Sequence, residues 1–310
     1  MLGDRRQAHD VPEWRWAGQV ADTPRFTVAM ITHEAPGDSF WDLIRKGAET
    51  AAAKDNIELK YSADDQGPNQ ANLIQNAIDS DVDAIAVTLA RPEPMAPMVE
   101  KAIAAGIPVV AFNSGSDRWQ AMGVSAYFGQ DDLVAGKAAG ERLASEGAKH
   151  AICIIQVQGA INLENRCAGV KEALPGATVE NLNVNGADMP SVESTITAKL
   201  QQDPSIDYLV GLGAPIALTA VQSAKNASSD AKVVTFDTNA ALVDAIKSGD
   251  VEWAVDQQPY LQGYLAIDSL WLLLNNRNVM GGGQSVLTGP AFIDETNIDS
   301  VAELAKAGTR

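Results

Sequence analysis

The chain has 310 residues, enough for two domains of ordinary size. Hydrophobic residues make up 46% and charged residues 20%, as in a globular protein, and the formal net charge of −17 repels phosphate backbones and anionic membrane surfaces. No apolar run approaches the roughly 20 residues that a membrane helix needs.

Residues 1–24 read as a flexible, polar N-terminal arm carrying Trp14 and Trp16. The arm lacks the apolar centre of a secretory signal, as expected of a cytoplasmic chain or of one numbered after its leader. Phe26–Thr32 (FTVAMIT) predicts the first strand, HEAPGD a polar loop, and residues 39–55 a helix. Strands follow near 57–62, 84–90 and 108–113, with helices at about 70–80 and 94–105, and Gly106 as a helix stop. This unit ends near Gln130. A second unit opens at Asp131 with the helical run DDLVAGKAAGERLASEG. It continues with strands near 150–157, 178–184, 207–212, 232–236 and 252–256, and helices at about 163–174, 191–202, 215–227 and 240–248. YLQGYLAIDSLWLLLNN then predicts a strongly apolar helix, broken by the glycines at 281–283. Strands alternating with helices at this rhythm argue for an α/β protein of two similar Rossmann-like domains with parallel sheets, facing each other across a cleft. Ligands of such sheets bind beyond the carboxyl ends of the strands, so the polar loops there are the candidate site.

Phe40 and Trp41 follow the first loop, one expected to face the cleft and stack on a sugar and the other to pack on the sheet, the alternative being that both rings are core. His33, Glu34 and Asp38 flank them, either solvated or, for Asp38, placed to bond a hydroxyl. Asn113 and Ser114 end one strand, and Asp237, Thr238 and Asn239 end another. Strand-end polar residues also serve as helix caps, a strong alternative for Asn239. Asp237 still belongs to the apolar strand pattern, so its carboxylate is expected in a partly dry space where it seeks hydroxyl donors or a cation. Arg166 is either a forked donor aimed into the cleft or a surface partner of Glu164 or Glu172. Gln257 and Gln258 end a strand that Pro259 stops, and each amide either bonds a ligand hydroxyl or is a solvated turn residue. Cys153, on a strand, and Cys167, on the helix after it, read as buried free thiols rather than a disulfide. His9, His33 and His150 are too scattered for a zinc cluster, and no metal or cofactor is expected. GLGAP at 211–215 is an incomplete dinucleotide loop, and no catalytic set is legible.

From about Phe26 to Ile298 the chain resembles the ribose-binding-protein type of bacterial solute-binding protein, the type I periplasmic receptors of sugar ABC transporters. The resemblance is carried by SFWDLIRKGAE, GIPVVAFN, GQDDLVAGKAAGE, NRCAGV, VVTFDTN and DQQPYLQGYLAID in that order and spacing. It implies two lobes joined by three crossings near Gln130/Asp131, Gln257/Gln258 and 284–288. The first lobe is then 25–130 plus 258–285, and the second 131–257 plus 286–310. It implies an aromatic clamp of Phe40 and Trp41, a hydroxyl-binding set of Arg166, Asp237 and Gln257, a hinge residue at Asp131, and Asp38 where the family often has Asn. Asn113-Ser114 stands where such receptors often carry Asp-Arg, and Gly213 where they often carry Asn. A sugar alcohol or a sugar other than ribose is therefore expected. The implied protein is not an enzyme. It is an extracytoplasmic monomer that captures a monosaccharide or polyol by hinge closure and hands it to a membrane permease. The alternatives are a sensor or regulator domain of the same fold and a Rossmann-type enzyme.

Overall fold

The computed structural model describes residues 20–35 and 37–310. In the first lobe, short β-branched runs and longer amphipathic runs give β1 (Phe26–Thr32), α1 (Phe40–Lys54), β2 (Ile57–Ala63), α2 (Gly67–Asp79), β3 (Ala84–Val87), α3 (Pro92–Ala104), β4 (Val109–Phe112) and β5 (Tyr127–Gly129). The second lobe follows with α4 (Asp132–Ser145), β6 (His150–Ile155), α5 (Ile161–Ala173), β7 (Thr178–Asn183), α6 (Met189–Gln202), β8 (Tyr208–Gly211), α7 (Ala214–Ala227), β9 (Lys232–Phe236), α8 (Ala240–Ser248) and β10 (Trp253–Asp256). The chain returns through α9 (Pro259–Asn276) and β11 (Val286–Leu287) to the first lobe, and ends with β12 (Ala291–Asp294) and α10 (Ile298–Lys306) on the second.

Each lobe has one six-stranded sheet. The orders are β11-β5-β4-β3-β1-β2 and β12-β10-β9-β8-β6-β7. The two orders match position by position, so each strand has a counterpart in the other lobe. Pairing is parallel except for β12, which runs antiparallel to β10. Strands β3, β4, β6 and β8 are buried along their whole length because helices cover both faces, which is why they read as unbroken apolar runs.

Four expectations are corrected. Val286–Leu287 pair with β5, so the first lobe extends past the expected boundary at 285/286, and the third crossing, expected near 284–288, lies at Thr288–Pro290. The strand expected through residue 90 ends at Val87, and Thr88–Ala90 form a buried loop toward the cleft. Part of the expected N-terminal arm packs on the first lobe: the Ala21 N–H donates to the Lys54 carbonyl at 2.8 Å, and Thr23 accepts from Asn56. Residues 1–19, with Trp14 and Trp16, lie outside the described residues. Finally, Cys153 and Cys167 are joined in a disulfide, with Cα atoms 5.8 Å apart. Both cysteines are buried in the layer where α5 lies on β6, so the fold brings together two thiols that spacing alone does not pair.

Candidate functional site

Three crossings join the lobes, at Gly129–Asp132, Asp256–Pro259 and Leu287–Ala291. They are laced to each other. The Thr288 N–H donates to the Gly129 carbonyl at 2.8 Å, and the Thr288 hydroxyl donates to the Gln257 carbonyl at 2.7 Å. The Gln258 amide donates to the Thr288 carbonyl at 2.8 Å. At the opposite side of the cleft the lobes touch. The Ile161 N–H donates to the Ala90 carbonyl at 3.2 Å, and Arg91 reaches the Gln158 carbonyl at 3.4 Å. The conformation is therefore a closed one.

The second lobe supplies the charge. Arg166 sits in α5 and is 1% exposed. Its Nε donates to Asp132 Oδ1 at 2.8 Å, and Nη1 lies 3.6 Å from Asp237 Oδ2. Its guanidinium carbon is 4.8 Å from the centre of the Phe236 ring. This geometry depends on α4 and α5 meeting backbone to backbone. A Cβ on Gly136 would stand 2.2 Å from the Arg166 carbonyl oxygen, and one on Gly169 2.4 Å from that of Leu133. Two glycines thus let the helices approach until Asp132, in the first turn of α4, reaches Arg166. Burial drives the Asp132 and Asp237 carboxyls up from 3.8 to about 6, with Arg166 opposing the rise. Burial also works to lower the Arg166 pKa, and the two carboxylates overcome it, holding the guanidinium above its ordinary value.

Asp237 extends this network to the crossings and the first lobe. Gln257 donates to Asp237 Oδ1 at 2.5 Å. Asn113 donates at 3.2 Å to both Gln257 Oε1 and Gln262 Oε1. Asn113 and Asp237 directly follow the counterpart strands β4 and β9, and both adopt left-handed backbone, with φ of 63° and 65°. That conformation is tolerated best by Asn and Asp after Gly, and its recurrence at both sheet edges marks the site.

The first lobe is less charged. Asp38 accepts from the Phe40 N–H at 3.1 Å and lies beside Trp41; burial raises its pKa, and these two neighbours oppose the rise. Trp41 is 3% exposed and edge-on to both His33, at 4.7 Å, and Phe40, at 5.3 Å. Phe40 is half-buried. Asp38 and His33 lie within electrostatic range of Asp237 and Arg166 across the cleft.

The fold thus brings Asp38, Trp41, Asn113, Arg166, Asp237 and Gln257 to one region, with Phe40 beside them. Ser114 is fully buried, its hydroxyl without a partner among the described residues. Gly213 opens α7 next to the Gln156 amide. Asp131 caps α4 by accepting from the Val134 N–H at 3.0 Å, whereas its neighbour Asp132 meets Arg166. Asn239 is a helix cap, accepting from Leu242 at 2.8 Å. Arg166 does not pair with Glu164 or Glu172; the latter holds Lys137. Glu34 turns to Arg45 and Tyr61. Asp132 and Gln262 were missed because each is one more polar residue on a helix, with no local signal of burial.

A family profile described as the periplasmic binding protein domain matches residues 28–278. A crystal structure of a carbohydrate transporter from Acidothermus cellulolyticus, in complex with myo-inositol, is 54% identical, covers 93% of this chain and 100% of its own, and superposes with a TM-score of 0.91. A xylose/arabinose-binding protein of Sulfolobus acidocaldarius is 23% identical over 91% of this chain and 74% of its own. A xylitol-binding protein of Mycolicibacterium smegmatis is 28% identical over 74% of this chain and 66% of its own. Two matched sheets, three crossings and this profile lead to one conclusion: the chain belongs to the periplasmic binding protein family, in its type I, ribose-binding-like branch.

Proposed function

We propose that this protein is the solute-binding component of an ABC transporter, and that its ligand is an uncharged, polyhydroxylated ring of hexose size, with myo-inositol the first candidate. The observation that carries the ligand class is the 54% identity, over nearly the whole chain, to a transporter protein holding myo-inositol. The composition of the cleft supports it. A cyclic polyol has hydroxyls around its whole rim and no charge. The cleft offers acceptors at Asp38 and Asp237, donors at Arg166, and amides at Asn113 and Gln257, which do both. Trp41 and Phe40 provide the apolar plane. The charged Asp-Arg pair expected of a ribose site is replaced by Asn113-Ser114.

Hydroxyls bonded to charged groups contribute about 1.5–3 kcal/mol each, and those bonded to neutral groups about 0.5–1.5 kcal/mol. A few such bonds supply the ~8 kcal/mol of micromolar affinity. A ligand touching both lobes binds the closed form better than the open one, so closure follows as a population shift about the three crossings. The closed receptor, acting as a monomer outside the cytoplasm, then presents its ligand to a membrane permease. A thermal-shift and calorimetric panel of myo-inositol, scyllo-inositol, xylitol, ribose, arabinose and glucose tests this. Myo-inositol should give the largest rise in melting temperature. A pentose or xylitol that binds while both inositols are inert would overturn the ligand class.

A further inference from the structure

The first loop holds a histidine whose environment is built with more care than a solvated loop residue needs. His33 directly follows β1, at the carboxyl edge of the first sheet. Its Nδ1 lies 2.7 Å from the Thr88 hydroxyl, and its backbone N–H donates to the same oxygen at 3.0 Å. The Gln70 side chain, fully buried, also approaches that oxygen, its Nε2 at 3.3 Å. Nε2 of Gln70 lies 3.5 Å from the Thr88 carbonyl as well, which fixes the amide nitrogen, rather than its oxygen, on the Thr88 side.

The tautomer follows from counting. A backbone N–H and a carboxamide NH₂ only donate, so together they occupy both lone pairs of the Thr88 oxygen. The hydroxyl proton is left for Nδ1, which must then be an acceptor. The imidazole is therefore the Nε2–H tautomer. Burial, aided by the nearby positive charges of Arg91 and Arg166, pushes its pKa down to about 3, so the ring is neutral at physiological pH. Nε2 has no hydrogen-bond partner among the described residues, and the residue as a whole is half-buried rather than buried. The edge-on Trp41 ring fixes the plane of the imidazole. It lies within electrostatic range of Arg166 of the other lobe.

We infer, on the ligand class proposed above, that His33 is a specificity-determining residue whose Nε2–H, held in one tautomer by Thr88 and Gln70, donates a hydrogen bond to one hydroxyl of the bound polyol. The counterpart position in the second lobe, after β6, is Gln156, whose amide is turned to the Leu212 carbonyl at 3.3 Å. The imidazole is thus a donor that the first lobe alone contributes at this level of the cleft, and one whose charge does not change over the physiological pH range.

The test uses the full chain, myo-inositol and a set of singly deoxygenated inositols, measured by calorimetry. His33→Ala should weaken myo-inositol about five- to tenfold, the size of one neutral hydrogen bond. The loss should be tied to one hydroxyl: one deoxyinositol should bind His33→Ala and the parent protein with the same ratio to within twofold, while the other deoxyinositols still lose the full factor. His33→Gln, whose Nε2 can take the place of the ring Nε2, should recover most of the affinity, and His33→Asn, which is too short, should not. Far-ultraviolet dichroism and ligand-free melting identify any variant that fails to fold, and Thr88→Val then provides the second probe, since it frees the tautomer without removing the ring. If the parent protein binds no inositol, the proposed ligand class fails. If it binds one and His33→Ala loses affinity uniformly across all the deoxyinositols, or loses none, His33 is not a ligand residue.

Discussion

The two lobes are built on one plan and equipped differently. Their sheets have matching strand orders, and their counterpart strands β4 and β9 end in VVAFNS and VVTFDT, with Asn113 and Asp237 in the same left-handed conformation. The helix that follows the first strand of each lobe packs on its partner helix through glycines, Gly47 and Gly263 in one lobe and Gly136 and Gly169 in the other. At the level where the second lobe aligns Arg166 with Asp132 and Asp237, the first offers an amide, an indole, a neutral imidazole and the single carboxyl of Asp38. The second lobe also carries the Cys153–Cys167 disulfide on the helix that holds Arg166. The difference teaches that the repeated frame determines where ligand groups can stand, while their charge is assigned lobe by lobe. A buried ion triad is costly to desolvate and is held rigid by its own partners, whereas neutral donors and acceptors are cheaper and more adaptable.

The sharpest way to break this contrast is to remove its centre. Arg166→Ala leaves two carboxylates buried without their partner, and should destabilise the second lobe by about 3–5 kcal/mol in urea unfolding while abolishing ligand binding. A melt unchanged from the parent protein would show that the triad contributes nothing to folding. Next in size is the crosslink. Replacing both cysteines with alanine opens a loop whose ends are 14 residues apart in sequence. It should cost about 3 kcal/mol on the chain-entropy estimate, with the loss confined to the second lobe in hydrogen exchange.

The strand-end pair gives a direct comparison. Asp237→Ala should eliminate the ligand-induced rise in melting temperature, whereas Asn113→Ala should weaken binding only about tenfold, because a neutral partner contributes less than a charged one. Equal losses at the two positions would remove the charge asymmetry from the account.

The smallest effect is that of pH. Asp132 and Asp237 are lifted by burial from 3.8 to about 6. Between those two values the folded protein holds more protons than the unfolded chain, so these groups make ligand-free stability fall as pH rises through the window. Affinity should have the opposite slope, since a ligand hydroxyl donates to the ionised carboxylate. Calorimetry at pH 5 should give binding roughly tenfold weaker than at pH 7. Affinity that is flat over that range would place the ligand away from Asp237.

Much of the frame was legible in the sequence because it is written locally. Apolar runs of strand length, amphipathic runs of helix length and glycine stops are properties of neighbouring residues, so the alternation, the two units and the strand ends bearing Asn113 and Asp237 could be read directly. The order of VVTFDTN and DQQPYLQGY likewise carried the resemblance to the receptor family. What the tertiary structure alone decided is which distant groups meet. Asp132 faces Arg166 because two helices close on glycines, Cys153 bonds Cys167 because α5 lies on β6, and β11 joins the first sheet although it is only two residues long. Such partnerships depend on burial and on distances across the fold. A one-dimensional pattern contains neither, since the same Asp, Cys or Val in another packing would be a cap, a free thiol or a loop.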